Sequence, residues 1–178
     1  MLALKEKYQK IVPDLKKELD LSNSLALPKI EKVIVHAGFG KQKEDKHRIE
    51  VVLDRLAKIT GQKPAPRAAK KSIATYKLRE GQNIGAMVTL RGERMWGFLD
   101  KLINVAIPRM RDFRGLDYKA VDKMGNFTFG IKEHTIFPET GDEDLKDVFG
   151  LSVTITTTAK NKDEAKSLFN ALGLPFKK

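Results

Sequence analysis

IGAMVTLR, residues 84–91, alternates between two chemistries. Successive side chains of an extended strand point to opposite faces, so Ile84, Ala86, Val88 and Leu90 form an oily side. Gly85, Met87, Thr89 and Arg91 form a small or polar one. The split recurs in NFTFGIK, residues 126–132, as Phe127, Phe129 and Ile131 against Asn126, Thr128, Gly130 and Lys132. It recurs again in GLSVTITTT, residues 150–158, as Leu151, Val153 and Ile155 against Ser152, Thr154 and Thr156. KIEKVIVH, residues 29–36, reads as a further strand. Helical periodicity fills the gaps. Leu4, Tyr8, Ile11, Val12, Leu15 and Leu19 trace one face, with Pro13 expected to kink or restart that helix. Ile49, Val52, Leu53 and Leu56 stripe residues 44–60, with Gly61 at a left-handed C-terminal cap. Met95, Phe98, Leu99, Leu102 and Ala106 stripe residues 93–106, ended by Pro108. A last helix starts at an Asn161 cap, with Asp163 and Glu164 in its positive first turn, and stops at Gly173.

These elements predict an α+β fold: one domain over residues 1–178, a mainly antiparallel sheet, and helices packed on one face of it. The second face is left uncovered and rich in hydroxyls. Threonine favours strands for its own reasons, so such a face can be an ordinary solvated surface. It can equally be a platform on which RNA phosphates, sugars and base edges meet hydroxyls and amides at close range.

Charge favours the platform. Lys and Arg outnumber Asp and Glu by 34 to 23, a formal net charge of +11, which is a statement about polyanionic partners. GQKPAPRAAKKSIATYKLR, residues 61–79, holds six basic side chains and no acidic one. Pro64 and Pro66 stiffen its start, lowering the ordering cost on binding, while Lys63, Arg67, Lys70, Lys71, Lys77 and Arg79 supply phosphate donors. Tyr76 can stack on a base or sugar. Arg109, Arg111 and Arg114 form a second cluster, in which Asp112 can orient a guanidinium.

Other chemistries fail on residue type. No cysteine is present, which excludes disulfides, thiolate zinc sites and cysteine nucleophiles. His36, His47 and His134 are too scattered for a metal site and read as surface or packing residues. VIVHAGFGK, residues 33–41, could present amides to an anion but is not a Walker loop, and Lys43 stands where a dinucleotide fingerprint needs its third glycine. Phe127 and Phe129 share a side with Ile131 and read as core, not as base-stacking rings. Asp142 and Asp144 sit in an acidic loop without a base and read as solvated. The opening residues carry no apolar signal core, and no run of eighteen apolar residues occurs. The sequence thus predicts no enzyme activity, no cofactor, no metal and no membrane association.

Four blocks give the chain a family resemblance: TGQKPAPRAAKKSIATYKLREG, IGAMVTLRGERMWGFLDKLINVAIPRMRDFRGL, GNFTFGIKEHTIFPE and GLSVTITTTAK. Together they resemble the L-five family of bacterial large-subunit ribosomal proteins, over nearly the whole length. The resemblance implies a cytoplasmic, ribosomal protein with a five-stranded sheet whose concave face clasps 5S rRNA in the central protuberance. It implies a 5S rRNA site of His36, Gly38, Gly40, Gln62, Lys63, Arg67, Thr89 and Arg91. His36 departs from the family, which commonly has Asn there. It implies a tRNA-binding loop, about residues 70–83, in which Lys70, Lys71, Ser72, Tyr76, Lys77 and Arg79 reach the elbow of peptidyl-site tRNA. Arg109, Arg111, Asp112 and Arg114, with the loop around residues 132–147, are similar to the surface that meets a small-subunit head protein at an intersubunit bridge. 23S rRNA and other central-protuberance proteins are further implied partners. Two competing functions are a free RNA-binding regulator or chaperone, and a phosphate-handling enzyme built on the HAGFGK turn.

Overall fold

A computed structural model describes residues 3–40, 45–111, 113–140 and 147–177. Its elements, in chain order, are α1 (Ala3–Glu18), β1 (Ile30–Gly38), α2 (Lys46–Thr60), β2 (Ala65–Ala68), β3 (Asn83–Leu90), α3 (Gly92–Lys101), β4 (Phe127–Ile131), β5 (Leu151–Thr157) and α4 (Lys162–Leu172). The five strands form an antiparallel sheet of order β2-β3-β1-β5-β4, the α+β arrangement that the alternation predicts. The described residues divide into two compact units, one of residues 3–33, 90–129 and 153–177, the other of 34–89 and 130–152.

In the first unit α1 packs on α3 and α4. Leu15, Leu99, Val153, Ile155, Leu168 and Leu172 are all but sealed from solvent. Phe127 anchors an aromatic cluster, 5.4 Å from Phe129, 5.7 Å from Phe169 and 5.2 Å from Phe176 between ring centroids. Both strand phenylalanines are therefore core, as the alternation predicts. Pro13 does not restart α1, which runs unbroken through it. The proline removes one backbone hydrogen bond, and the burial of Leu4 and Leu15 on either side holds the helix together. Lys7 Nζ donates to Leu172 O at 2.8 Å, capping the end of α4 where Gly173 turns left-handed at φ 90°. Asn161 occupies the N-cap position of α4, but its side chain makes no capping bond; Lys160 N donates instead to Glu164 Oε2 at 2.9 Å. The third helix is regular only to Lys101, after which Leu102–Ala106 form a π turn and Ile107–Arg109 a 3₁₀ turn. Pro108 cannot continue a ladder of i→i−4 bonds, so the chain relaxes out of it in steps.

In the second unit the core is Val35, Ala37, Phe39, Val52, Leu56, Ile59, Ala86, Val88, Ile131 and Phe137. Asp45 caps α2 by accepting from Arg48 N at 3.1 Å, and Gly61 closes it at φ 65°, as its position predicts. Arg55 is buried, donating to Asp147 O at 2.9 Å and lying 3.1 Å from His134 Nε2. His134 is itself fully buried and stacks on Phe149 at 4.2 Å, the packing role expected of it. β2 was hidden in the cationic stretch. It pairs antiparallel with β3, Pro66 opposite Ala86 and Arg67 opposite Gly85. Proline lacks the N–H that a central strand must donate, so a strand containing Pro66 has to lie at a sheet edge, and β2 does.

Candidate nucleic-acid interface

Strand parity sorts the side chains of the second unit. Val35, Ala37, Ala86 and Val88 point inward, which leaves His36 and Gly38 of β1, and Gly85, Met87 and Thr89 of β3, on the outward face. His36, Gly38 and Gly40 are exposed. Gln62, just past α2, donates through Nε2 to Thr89 O at 3.3 Å, so two predicted site residues are joined by a hydrogen bond. Among the described residues the Thr89 hydroxyl has no protein partner. Arg67 lies on the same face, its Nη2 4.0 Å from Met87 Sδ, and Lys63 is exposed beside it in sequence. Ser152 Oγ donates to His36 O at 3.5 Å.

The segment between β2 and β3 is knitted by its own backbone. Ala69 N donates to Gln82 O at 2.9 Å and Gly81 N to Ala69 O at 3.0 Å, closing its base. Ile73 and Leu78 exchange hydrogen bonds of 3.0 and 3.1 Å, closing its tip around a 3₁₀ turn at Ala74–Tyr76. Ser72 Oγ accepts from Glu80 N at 2.9 Å. On this frame Lys70, Lys71, Lys77 and Arg79 are exposed, and Tyr76 is 73% exposed. A concavity of about 710 Å³ is lined by Ala74, Lys77, Leu78, Arg79, Glu80 and Gln82.

In the first unit, Thr128 and Thr154 meet across β4 and β5, hydroxyl to hydroxyl, at 2.9 Å. Arg91 is exposed but pairs with Glu31 at 3.4 Å, so its charge is partly answered within the protein. Arg109, Arg111 and Arg114 are exposed in the segment after α3; Asp112 lies outside the described residues. Of the loop 132–147, residues 141–146 also lie outside them, Asp142 and Asp144 included, as does Lys43 of the glycine turn.

A turn that sequence reading passed over precedes β4. Asp122 Oδ1 accepts from Met124 N at 2.9 Å and from Asn126 N at 2.7 Å, and Oδ2 accepts from Asn126 Nδ2 at 3.0 Å. Desolvation pushes this carboxyl up, but the bonds from the Asn126 side chain and amide and from the Met124 amide outweigh it, leaving Asp122 below its ordinary value. The signal was an Asx residue two positions before Met124 and four before Asn126, a turn pattern without helical or strand periodicity.

Among the described residues no cluster of His, Asp or Glu could hold a metal ion, and no helix is long and apolar enough to cross a membrane. The outward side of β1 and β3, with its glycines, its Thr89 hydroxyl and Arg67 at the edge, has the chemistry of a docking surface for a polyanion. The comparisons with known proteins agree. Residues 23–79 match the model described as Ribosomal protein L5, and residues 83–176 match the model of the C-terminus of the same ribosomal family. The chain is 51% identical over 179 residues to "Large ribosomal subunit protein uL5" of Ureaplasma parvum, covering 100% of this chain and 97% of that one. It is 49% identical over 177 residues to the protein of the same name from Halothermothrix orenii, with 99% of both chains covered. For that of Rubrobacter xylanophilus the figures are 46% over 178 residues and 99% of both. The chain belongs to the ribosomal protein L5 family, whose members are structural, non-enzymatic proteins of the large ribosomal subunit.

Proposed function

We propose that this chain anchors 5S rRNA in the cytoplasmic large ribosomal subunit through the outward face of its sheet, and that its two basic segments serve other partners. The observation that carries the reading is the outward face itself: Gly38 and Gly85 side by side, His36 exposed, the Thr89 hydroxyl without a partner among the described residues, Gln62 tied to the Thr89 carbonyl, and Arg67 at the edge. Small residues let a ribose-phosphate backbone approach the strands closely, and hydroxyls and amides meet 2′-hydroxyls and phosphates there. Gly40 and Lys63 extend this surface, and Arg91 is assigned to the same RNA.

The stiff loop with Lys70, Lys71, Ser72, Tyr76, Lys77 and Arg79 suits a contact that must accept every tRNA in turn, because phosphate contacts carry no sequence information. We assign it to peptidyl-site tRNA. Arg109, Arg111, Asp112 and Arg114, with residues 132–147, are assigned to a small-subunit head protein, and 23S rRNA and neighbouring central-protuberance proteins complete the set of partners. The test is to identify the RNA retained by the chain purified from cells in moderate salt, and to ask whether the chain sediments with 50S particles. 5S rRNA and 50S co-sedimentation are expected. Retention of unrelated RNAs with no 50S association would overturn the reading in favour of a free RNA-binding regulator.

A further inference from the structure

Gly85 is buried although its strand position points to the outward face. His36 accounts for it. Phe39 N donates to Ile84 O at 2.9 Å, which in an antiparallel pair sets Gly38 directly opposite Gly85 and His36 opposite Met87. The imidazole reaches diagonally toward that glycine pair, Nε2 foremost at Gly85. A Cβ at position 85 would lie 2.9 Å from His36 Nε2 and 3.0 Å from Ala37 O, and one at position 38 would lie 3.8 Å from Cε1. Gly85 thus leaves a gap one Cβ layer deep, a seat that the tip of the ring fills, with Gly38 in ordinary contact beside it.

The seat decides what the ring can offer. Neither ring nitrogen has a protein hydrogen-bond partner among the described residues, so contact with the strands, not a hydrogen bond, sets the ring's position. Nε2, the nitrogen with the longest reach, is turned down onto the sheet at Gly85. His36 stays exposed, so the rest of the imidazole, its faces and Nδ1, is open to a ligand. Arg67, opposite Gly85 on β2, puts a guanidinium on the far side of the seat, in reach of a phosphate.

We propose that His36, seated on Gly38 and Gly85, is a stacking platform for one unpaired base of the bound RNA, and that this position selects a looped RNA over a continuous duplex. Bases buried in a helical stack have no free face, whereas loop and bulge bases can be splayed out onto an aromatic ring. The inference rests on the outward face being the 5S rRNA site.

The test compares affinity for 5S rRNA among the wild type, His36→Phe, His36→Asn and Gly85→Ala. Phenylalanine keeps the ring and loses the nitrogens; asparagine keeps hydrogen bonding and loses the ring. His36→Phe is expected to bind within about threefold of wild type, and His36→Asn to weaken by roughly 5- to 150-fold, the loss of one stacked base. Gly85→Ala is expected to lift the ring and weaken binding in the same range; should it fail to fold, the two substitutions at position 36 decide alone. A fully paired RNA duplex should bind all of them equally. Wild-type affinity in His36→Asn with a large loss in His36→Phe would overturn the platform in favour of a hydrogen bond. No binding of 5S rRNA by the wild type would overturn the reading of the face, and the platform with it.

Discussion

Removing the charge of the loop between β2 and β3 separates its role from that of the sheet face. Lys70, Lys71 and Arg79 are replaced by Gln, and Lys77 by Asn, because Lys77 sits at φ 48°, a conformation that asparagine tolerates better than most residues. The loop should keep its shape, since the bonds at Ala69–Gln82, Gly81–Ala69 and Ile73–Leu78 are all backbone to backbone. None of the four side chains belongs to the buried core, and the formal net charge of +11 falls by four. Deleting one cation that neutralises a phosphate lowers the log–log salt slope by about 0.7 to 0.9, so deleting four lowers it by about 3. Over a fourfold rise in salt the wild type should therefore shed roughly 50- to 150-fold more of its loop-dependent affinity than the variant. The assay is the dissociation of peptidyl-site tRNA from ribosomes carrying wild-type or variant chain at matched 5S rRNA occupancy, across a salt series. The variant is expected to release tRNA faster at low salt, with the difference narrowing as salt screens the wild-type cations. Equal rates at every salt concentration would refute the tRNA role. Loss of 5S rRNA from the variant particles would refute the division of labour, placing the loop in the 5S site.

Thr89→Val keeps size and strand propensity while deleting a hydroxyl that has no partner among the described residues, so melting should be unchanged and 5S rRNA affinity should fall by about 1 to 3 kcal/mol; equal affinity in a binding titration would show that the hydroxyl meets only water. Gly125→Ala should destabilise by about 2 to 5 kcal/mol, roughly 1 to 2 from left-handed backbone and 1 to 3 from overpacking, because φ is 76° and the new Cβ would lie 2.7 Å from Ala159 Cβ. Thermal unfolding within a degree of wild type would contradict that. Asp122 is held below its ordinary 3.8 in the folded chain, so its contribution to stability is present above that pH and is lost as pH falls through the lower folded value. Asp122→Asn should thus flatten the acid limb of stability against pH, and an unchanged limb would show that the turn does not couple to folding.

Much of this was legible because period and burial coincide. The strand at 84–91 announced its faces by alternation, and Ala86, Val88 and Leu90 are buried as that requires. Gly61 and Gly173 marked helix ends because only a left-handed residue closes them this way. β2 was not legible: four residues with two neighbouring prolines carry too little pattern, and the edge position that tolerates Pro66 is a property of the sheet, not of the segment. Arg55 was invisible for a related reason. A charged residue inside a helical stripe reads as solvated unless its partners are known, and those partners, Asp147 and His134, are 92 and 79 residues away in sequence. The seat of His36 was half visible, as a histidine two residues before Gly38; its other half, Gly85, comes from a strand that only the register brings alongside.

The second unit distributes its chemistry unevenly, and the distribution argues for two kinds of recognition. Its outward strand residues are His36, Gly38, Gly85, Met87 and Thr89, with no lysine or carboxylate among them and Arg67 at their edge. The loop between β2 and β3 carries four exposed cations, Lys70, Lys71, Lys77 and Arg79. Charge acts over a Debye length and is indifferent to sequence, whereas glycines and hydroxyls matter only to a ligand already touching them. A partner held permanently needs the short-range fit, and one exchanged in every cycle needs grip without memory. The face therefore suits a resident RNA and the loop a passing one, and salt should weaken the second far more steeply than the first.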